Sequence, residues 1–372
     1  MDLAPAHHVS RAPRVRAARL RTAALRTAVG LAFGAVLVLA FARLVNMAGV
    51  YHRLQHLSIG LGLACGAAFL SAYVVRALRW RCLLRPCRVT VRRAVAIYYI
   101  AIFLNWLLPI RGGELAMSLL LRHTDGIPVS RSLPAVGMDK AMDLLPVVVL
   151  LAVLPFTPLR LGGPLWILLL STLALLVVAG GVLVLVAYRP KQAQAILIRP
   201  ATTLLPARVR GGIEGFVTTF VSTFIALVRR PRLLLIAGAL TVVALCLDAL
   251  FCLLAFRAVG VAVPVWVVLY GYTFFNLSFI LPSPPGQVGS NELIGLLIFS
   301  GSFGISRTGV GAMFLLSHPW TGFLMTCTGL ACLSMTGLTM RGALSLTQKQ
   351  GQLPAQERED RSAQTWEELE KA

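Results

Sequence analysis

The sequence predicts an all-α polytopic membrane protein with six spanning helices plus two re-entrant helical hairpins arranged as inverted repeats. Three observations carry this. First, of 372 residues 57% are hydrophobic and only 13% charged, with a mean hydropathy of +0.79; a soluble domain carries about 25% charged residues. Second, runs such as 165–187 and 233–256 reach the roughly 20 apolar residues needed to cross a ~30 Å hydrocarbon core. Third, two further apolar stretches are interrupted by proline and glycine in matching ways. These features exclude a soluble enzyme, a disordered chain and a β-barrel, whose signature is ~10-residue alternating segments.

Taken in order, the chain opens with a basic N-terminus, 1–26, holding Arg11, Arg14, Arg16, Arg19, Arg21 and Arg26. The apolar stretch that follows ends without a small-residue cleavage site, so the expectation is an uncleaved first span. The helix bundle covers 27–340, with spans at 27–47, 57–78, 133–156, 163–187, 233–256 and 309–339. Half one is about 57–187 and half two about 233–340. They are joined by 188–232, an amphipathic interfacial segment in which Ile213, Phe216, Val217, Phe220, Val221, Phe224, Ile225 and Val228 recur at helical steps, with Thr218, Thr219, Ser222 and Thr223 opposite. The tail, 341–372, is polar and reads as disordered and cytoplasmic.

The stretches 94–121 and 264–304 cannot be simple spans. Proline removes a helical donor and clashes with the preceding turn, and a break facing lipid leaves backbone groups unpaired, so broken segments belong inside protein or beside a water-filled cavity. One reads Asn105-Trp-Leu-Leu-Pro109, Arg111-Gly-Gly, Glu114-Leu115; the other reads Asn276 to Leu281-Pro282, Gly286, Gly289, Glu292-Leu293. Broken segments at corresponding places in two halves point to a transporter-type midplane site.

Charge sets the orientation. Lys and Arg number 35 against 14 Asp and Glu, a formal +21. Beyond the N-terminus, basic residues cluster in 76–93 and 189–232, flanking apolar spans as cytoplasmic loops do, where they meet anionic headgroups. With both hairpins re-entrant, all three blocks fall on the cytoplasmic side, along with both termini. The expected location is the inner (plasma) membrane, the expected partners are membrane lipids, anionic or headgroup-modified, and nucleic acid is excluded. Of the seven cysteines, five lie within predicted spans and read as small core residues.

Ionisable groups inside spans are costly and mark candidate sites. Those expected to bind substrate are Asn105, Pro109, Arg111, Glu114, Asp139, Lys140, Asp143, Asn276, Pro282, Gly286, Gly289 and Glu292. Glu114 and Glu292 each fall in the first turn of a helix, where they either cap backbone amides or line a polar cavity, with Arg111 facing a lipid phosphate. Asp139 and Asp143 share a helix face, either within the site or at a solvated helix end. Asp248 stands mid-span and His318 kinks the last long helix with Pro319; both read as hydrogen-bonded packing residues. No metal, cofactor or catalytic signature is present, and the expectation is a non-enzyme.

The ordered set Arg76-Ala-Leu-Arg79-Trp80-Arg81 with Leu83-Leu84, Asn105 to Leu108-Pro109 with Arg111-Gly-Gly-Glu114-Leu115, Asp139-Lys140 with Asp143-Leu144, and Pro282 to Pro285-Gly286 with Gly289 and Glu292 resembles the membrane region of the lysylphosphatidylglycerol synthase family, over about residues 25–340. It departs from that family's pattern at Met117, Asp139-Lys140, Gly286-Gln287 and His318. The resemblance implies a flippase-like bundle with inverted repeats that moves or binds a lipid, either a phospholipid or a lipid-linked glycan. Some 30 residues follow the last span, so the expectation is a stand-alone member without the synthase domain and without aminoacyl transfer. Two readings stay open: a lipid transporter, or a non-transporting membrane partner of a lipid-modifying or glycan-assembly enzyme. An integral membrane transferase comes third.

Overall fold

The computed structural model describes residues 32–85, 87–107, 112–153, 207–277 and 284–336, with isolated positions between 166 and 189. Every regular element among them is helical. The expected span 163–187 and the polar tail lie largely or wholly outside the described residues.

The chain enters on α1 (Ala32–Leu44), then bends by 87° into α2 (Met47–Gln55). Asn46 makes this bend: its side chain accepts from the Gly49 amide at 3.2 Å, starting a new helix where the sequence reading ends the first span at 47 and expects a loop. Next, α3 (Ile59–Leu83) runs five residues beyond the expected end at 78 and carries Arg76, Arg79 and Arg81 within the helix. α4 (Val91–Leu107) and α5 (Gly113–Asp125) flank the first break. The expected span 133–156 is divided: α6 (Val129–Asp143) is capped by Leu144, and α7 (Leu145–Val153) carries Pro146 in its first turn, which has no amide to continue the ladder. α8 (Ala207–Val228) packs on α6, with Val221 and Leu227 buried and Thr218 and Ser222 exposed. α9 (Pro231–Ala258) follows, then α10 (Val265–Leu277). After the second break a short 3-10 turn, Pro285–Gln287, leads into α11 (Ser290–Gly295), a π-helical continuation Leu296–Ser302, and α12 (Arg307–Met335).

Among the described residues α3 and α9 are each long and apolar enough to cross a membrane, and α1 with α2 qualifies as a bent pair. α3 and α9 form the axis of the bundle and run antiparallel. The Ser58 amide donates to Ala258 O at 3.1 Å at one end, and Arg79 donates to Thr241 at 2.9 Å toward the other.

Both interrupted stretches fold back as helical hairpins. Arg93, at the start of α4, pairs with Asp125, at the end of α5, at 2.6 Å. Trp266, at the start of α10, meets Phe303 edge to face at 6.1 Å, just after the π-helical segment. The first hairpin opens beside the end of α3, the second beside the end of α9, and α3 and α9 end at opposite ends of the axis. Described residues beside the two breaks meet in between, where Trp106 of α4 lies against Gly286, 3.7 Å from where a Cβ would stand.

Two glycines show how tightly the breaks are packed. A side chain on Gly113 would run into the Ala101 carbonyl and the Asn105 amide, so α5 can start against α4 only with glycine there. Gly289 has φ +82° and would place a Cβ 2.6 Å from Leu37 of α1.

Candidate functional site

A cavity of about 360 Å³ opens between the two hairpins and the α3–α9 axis, within the ordinary range for small-molecule sites. Its apolar wall includes Ile102, Leu245 and Met325; its polar wall carries Arg76, Asn105, Glu114, Lys140, Asp143, Asp248, Asn276 and Gln287.

The first break is stitched by Asn105. Its amide nitrogen donates to Glu114 Oε1 at 2.9 Å, and its oxygen accepts from the Gly113 amide at 2.7 Å. One side chain therefore holds both the free amide that opens α5 and the carboxylate in its first turn, and Glu114 lines the cavity while held there.

The floor of the cavity is an ion-pair network that the sequence reading did not assemble. Arg79 is 1% exposed and Asp139 is fully buried. Arg79 donates from Nε to Asp139 Oδ1 at 2.7 Å, from Nη1 to Thr241 at 2.9 Å, and from Nη2 to Asp143 Oδ1 at 2.7 Å and to the Asp139 carbonyl at 3.1 Å. Tyr98 donates to the other Asp139 oxygen at 3.1 Å. One turn earlier, Arg76 forms a two-pronged pair with Asp248, comes within 3.8 Å of Asp143, and stacks over the Tyr73 ring. A buried charge survives only when paired and hydrogen-bonded in this way. These two arginines were assigned from sequence to a headgroup-facing block. In the structure Arg85, Arg88 and Arg92 are exposed while Arg76 and Arg79 point inward. The missed signal was present: Arg76 and Arg79 are three apart and share a helix face, and Asp139, Asp143 and Asp248 each needed a cation.

Lys140 differs. Its ammonium lies 3.7 Å from both Glu114 and Asp143, beyond hydrogen-bond reach, and its side chain is 43% exposed. Both contacts are ion pairs without a hydrogen bond, so among the cavity's described cations Lys140 is the least tightly held. Trp106 also lines the cavity, and its indole N–H has no partner among the described residues.

The expected site residues therefore separate. Asn105, Glu114, Lys140, Asp143 and Asn276 line one cavity. Asp139 lies beneath it, saturated by Arg79 and Tyr98. Gly286 and Gly289 shape the second break, both at positive φ. Glu292 does not line the cavity: its Oε2 accepts from the Gly289 amide at 2.7 Å, and its Oε1 meets His318. Pro109, Arg111 and Pro282 lie outside the described residues.

What the arrangement can do follows from its charges. Arg76, Arg79 and Lys140 are paired with Asp248, Asp143 and Glu114 along the polar wall of a cavity whose remaining lining is largely apolar. Such a lining combines polar groups and apolar surface in one space. Searches of curated proteins and of solved structures found no match. The family model described as the lysylphosphatidylglycerol synthase TM region matches residues 27–329. With that match spanning both hairpins, the axis and the cavity, the chain belongs to the lysylphosphatidylglycerol synthase TM region family.

Proposed function

We propose that this membrane protein is a lipid translocator of the flippase type, non-enzymatic, which receives a lipid headgroup in the cavity between its two hairpins and leaves the acyl chains in the bilayer. The observation that carries the reading is the joint construction of the cavity: Asn105 and Glu114 come from the first hairpin, Asn276 and Gln287 from the second. A headgroup crossing the membrane needs polar contacts at depth, and interrupted helices supply them where they border a cavity. Support for an inverted arrangement comes from the Arg93–Asp125 and Trp266–Phe303 closures, at opposite ends of the α3–α9 axis. On this reading the end carrying Arg85, Arg88 and Arg92 faces the cytoplasm of an inner membrane.

The headgroup would be a phosphate-bearing one, from a phospholipid or a lipid-linked glycan. Arg76 and Arg79 are hydrogen-bonded to carboxylates, so Lys140, whose ion pairs to Glu114 and Asp143 are longer, is the described cation freest to meet the phosphate, while Glu114 and Asp143 accept from headgroup hydroxyls or amines. Arg111, in the first break of the sequence, is a second candidate cation.

The test is headgroup movement in proteoliposomes. Fluorescent phosphatidylglycerol, quenched from outside in vesicles containing the purified chain, is expected to become accessible faster than in protein-free vesicles, and Lys140→Ala is expected to slow it several-fold. Movement no faster than in protein-free vesicles, repeated with a fluorescent polyprenyl-phosphate glycan, would overturn the reading in favour of a non-transporting partner of an envelope enzyme.

A further inference from the structure

Glu292 and His318 take no part in the cavity contacts described above. His318 Nδ1 lies 2.5 Å from Glu292 Oε1, and its Nε2 lies 2.8 Å from the Gly286 carbonyl. A carbonyl oxygen can only accept, so Nε2 carries a hydrogen. A neutral imidazole then has none on Nδ1, whose lone pair would face the carboxylate oxygen at hydrogen-bond distance. The contact holds only if one further proton lies between the two atoms, on nitrogen or on oxygen. We propose that Glu292 and His318 form a proton-binding site whose occupancy sets the cavity wall at Gly286–Gln287.

The connection to the cavity is short. His318 holds Gly286 by its carbonyl, and the next residue, Gln287, lines the cavity. Gly286 has φ +67° and Gln287 φ +57°; the left-handed region is uncommon for a residue with a Cβ and persists where surrounding contacts enforce it. Four contacts hold it here: the His318 bond to Gly286 O, the Gln287 amide donating to Pro284 O at 2.8 Å, the Ser290 hydroxyl donating to Gln287 O at 2.8 Å, and the Asn291 amide donating to Gln287 Oε1 at 3.0 Å. On the far side, Pro319 follows His318 and removes one amide from the hydrogen-bond ladder of α12.

The surroundings isolate the pair. Glu292 is the one charged group among the described residues that acts on the His318 ring. From α4, Trp106 packs on Gly322, and from α3, Gly66 packs on Trp320. α1 meets the break through Gly34 and Leu37. The π-helical segment presents Phe299 to Phe314. On α9, Asp248 is engaged by Arg76, and α2 carries Arg53, bound to the Val259 and Gly260 carbonyls.

When the shared proton leaves, the N–H or O–H bond breaks and the proton passes to water. The pair goes from net zero to one negative charge, with lone pair facing carboxylate. Repulsion then frees the ring from Gly286, and the Gly286–Gln287 turn relaxes. Coupling of that movement to lipid passage rests on the translocator reading; the proton site itself does not.

The experiment uses the full chain labelled with 5-fluorotryptophan in nanodiscs of phosphatidylethanolamine and phosphatidylglycerol, followed by fluorine NMR. The Trp106 resonance, assigned by Trp106→Phe, reports on Gly286. It is expected to shift with a single midpoint between about pH 5 and 9, the window in which imidazoles titrate. The shift is expected to vanish in His318→Gln and in Glu292→Gln, either of which suffices if the other fails to fold. A wild-type resonance that is flat with pH, or an unchanged titration in a folded variant, would overturn the proposal. Because no lipid needs to move, neither result depends on the translocator reading.

Discussion

At the residue scale, the chain places its buried charges by pairing them. Asp139 takes Arg79 and Tyr98, Asp248 takes Arg76, and Asp143 is shared between Arg79, Arg76 and Lys140. Removing one partner of such a pair leaves a buried uncompensated charge, at a cost of about 3–5 kcal/mol. Asp139→Asn is therefore expected to lower the melting temperature of the detergent-solubilised protein sharply, whereas Lys140→Ala, at a half-exposed position, is expected to leave it nearly unchanged. Equal melting temperatures for the two would contradict the division between a structural floor and a loosely held cation. The acids of this network were legible as suspicious, since carboxylates in apolar spans are rare. Their arginines were not, because Arg76 and Arg79 run in sequence straight into Arg81 and Arg85 and look like one headgroup-facing block. The match between Glu114 and Glu292 was legible as pattern but not as bonding. Asn105 turns one toward the cavity, and His318, 26 residues further along the chain, turns the other away.

At the element scale, each stretch marked by proline and glycine falls between separate helices, after Leu107 and before Gly113 in one case and after Leu277 and before Pro285 in the other, since such residues change the backbone locally and need no tertiary information. The hairpin legs close on themselves through Arg93–Asp125 and Trp266–Phe303. The tight start of α5 depends on Gly113, and Gly113→Val is expected to destabilise the fold by roughly 1–3 kcal/mol, the usual range for overpacking, read as a lower thermal midpoint. Gly238 has open space around it, so Gly238→Ala is the control and is expected to hold or raise that midpoint, alanine being the better helix former by about 1 kcal/mol. Helix ends were read less well. α3 continues through Arg76 and Arg79 because its basic residues find partners inside the bundle. α1 ends early because Asn46 caps a new helix, and α6 ends at Asp143, capped by Leu144, because Pro146 follows. Each of these ends depends on side-chain partners or turn chemistry that hydropathy alone does not weigh.

At the scale of the whole molecule, the legs of the two interrupted stretches close through Arg93–Asp125 and Trp266–Phe303, and described residues beside both breaks line a common cavity, which we read as an inverted arrangement about the antiparallel α3–α9 axis. This predicts two-sided accessibility. In a background without native cysteines, Arg88→Cys and Gly260→Cys, both exposed and at opposite ends of the axis, are expected to react with a membrane-impermeant maleimide from opposite faces of oriented vesicles; labelling of both from one face would reverse one half. The central claim is that lipid headgroups pass through the cavity, and filling it tests that claim most directly. Leu245 lines the cavity with an apolar side chain and belongs to no polar contact described above. The measurement compares movement of fluorescent phosphatidylglycerol in proteoliposomes containing Leu245→Cys before and after reaction with a bulky maleimide. The account predicts that movement stops on modification. Movement continuing at the unmodified rate, with the cysteine shown to be fully reacted, would contradict it.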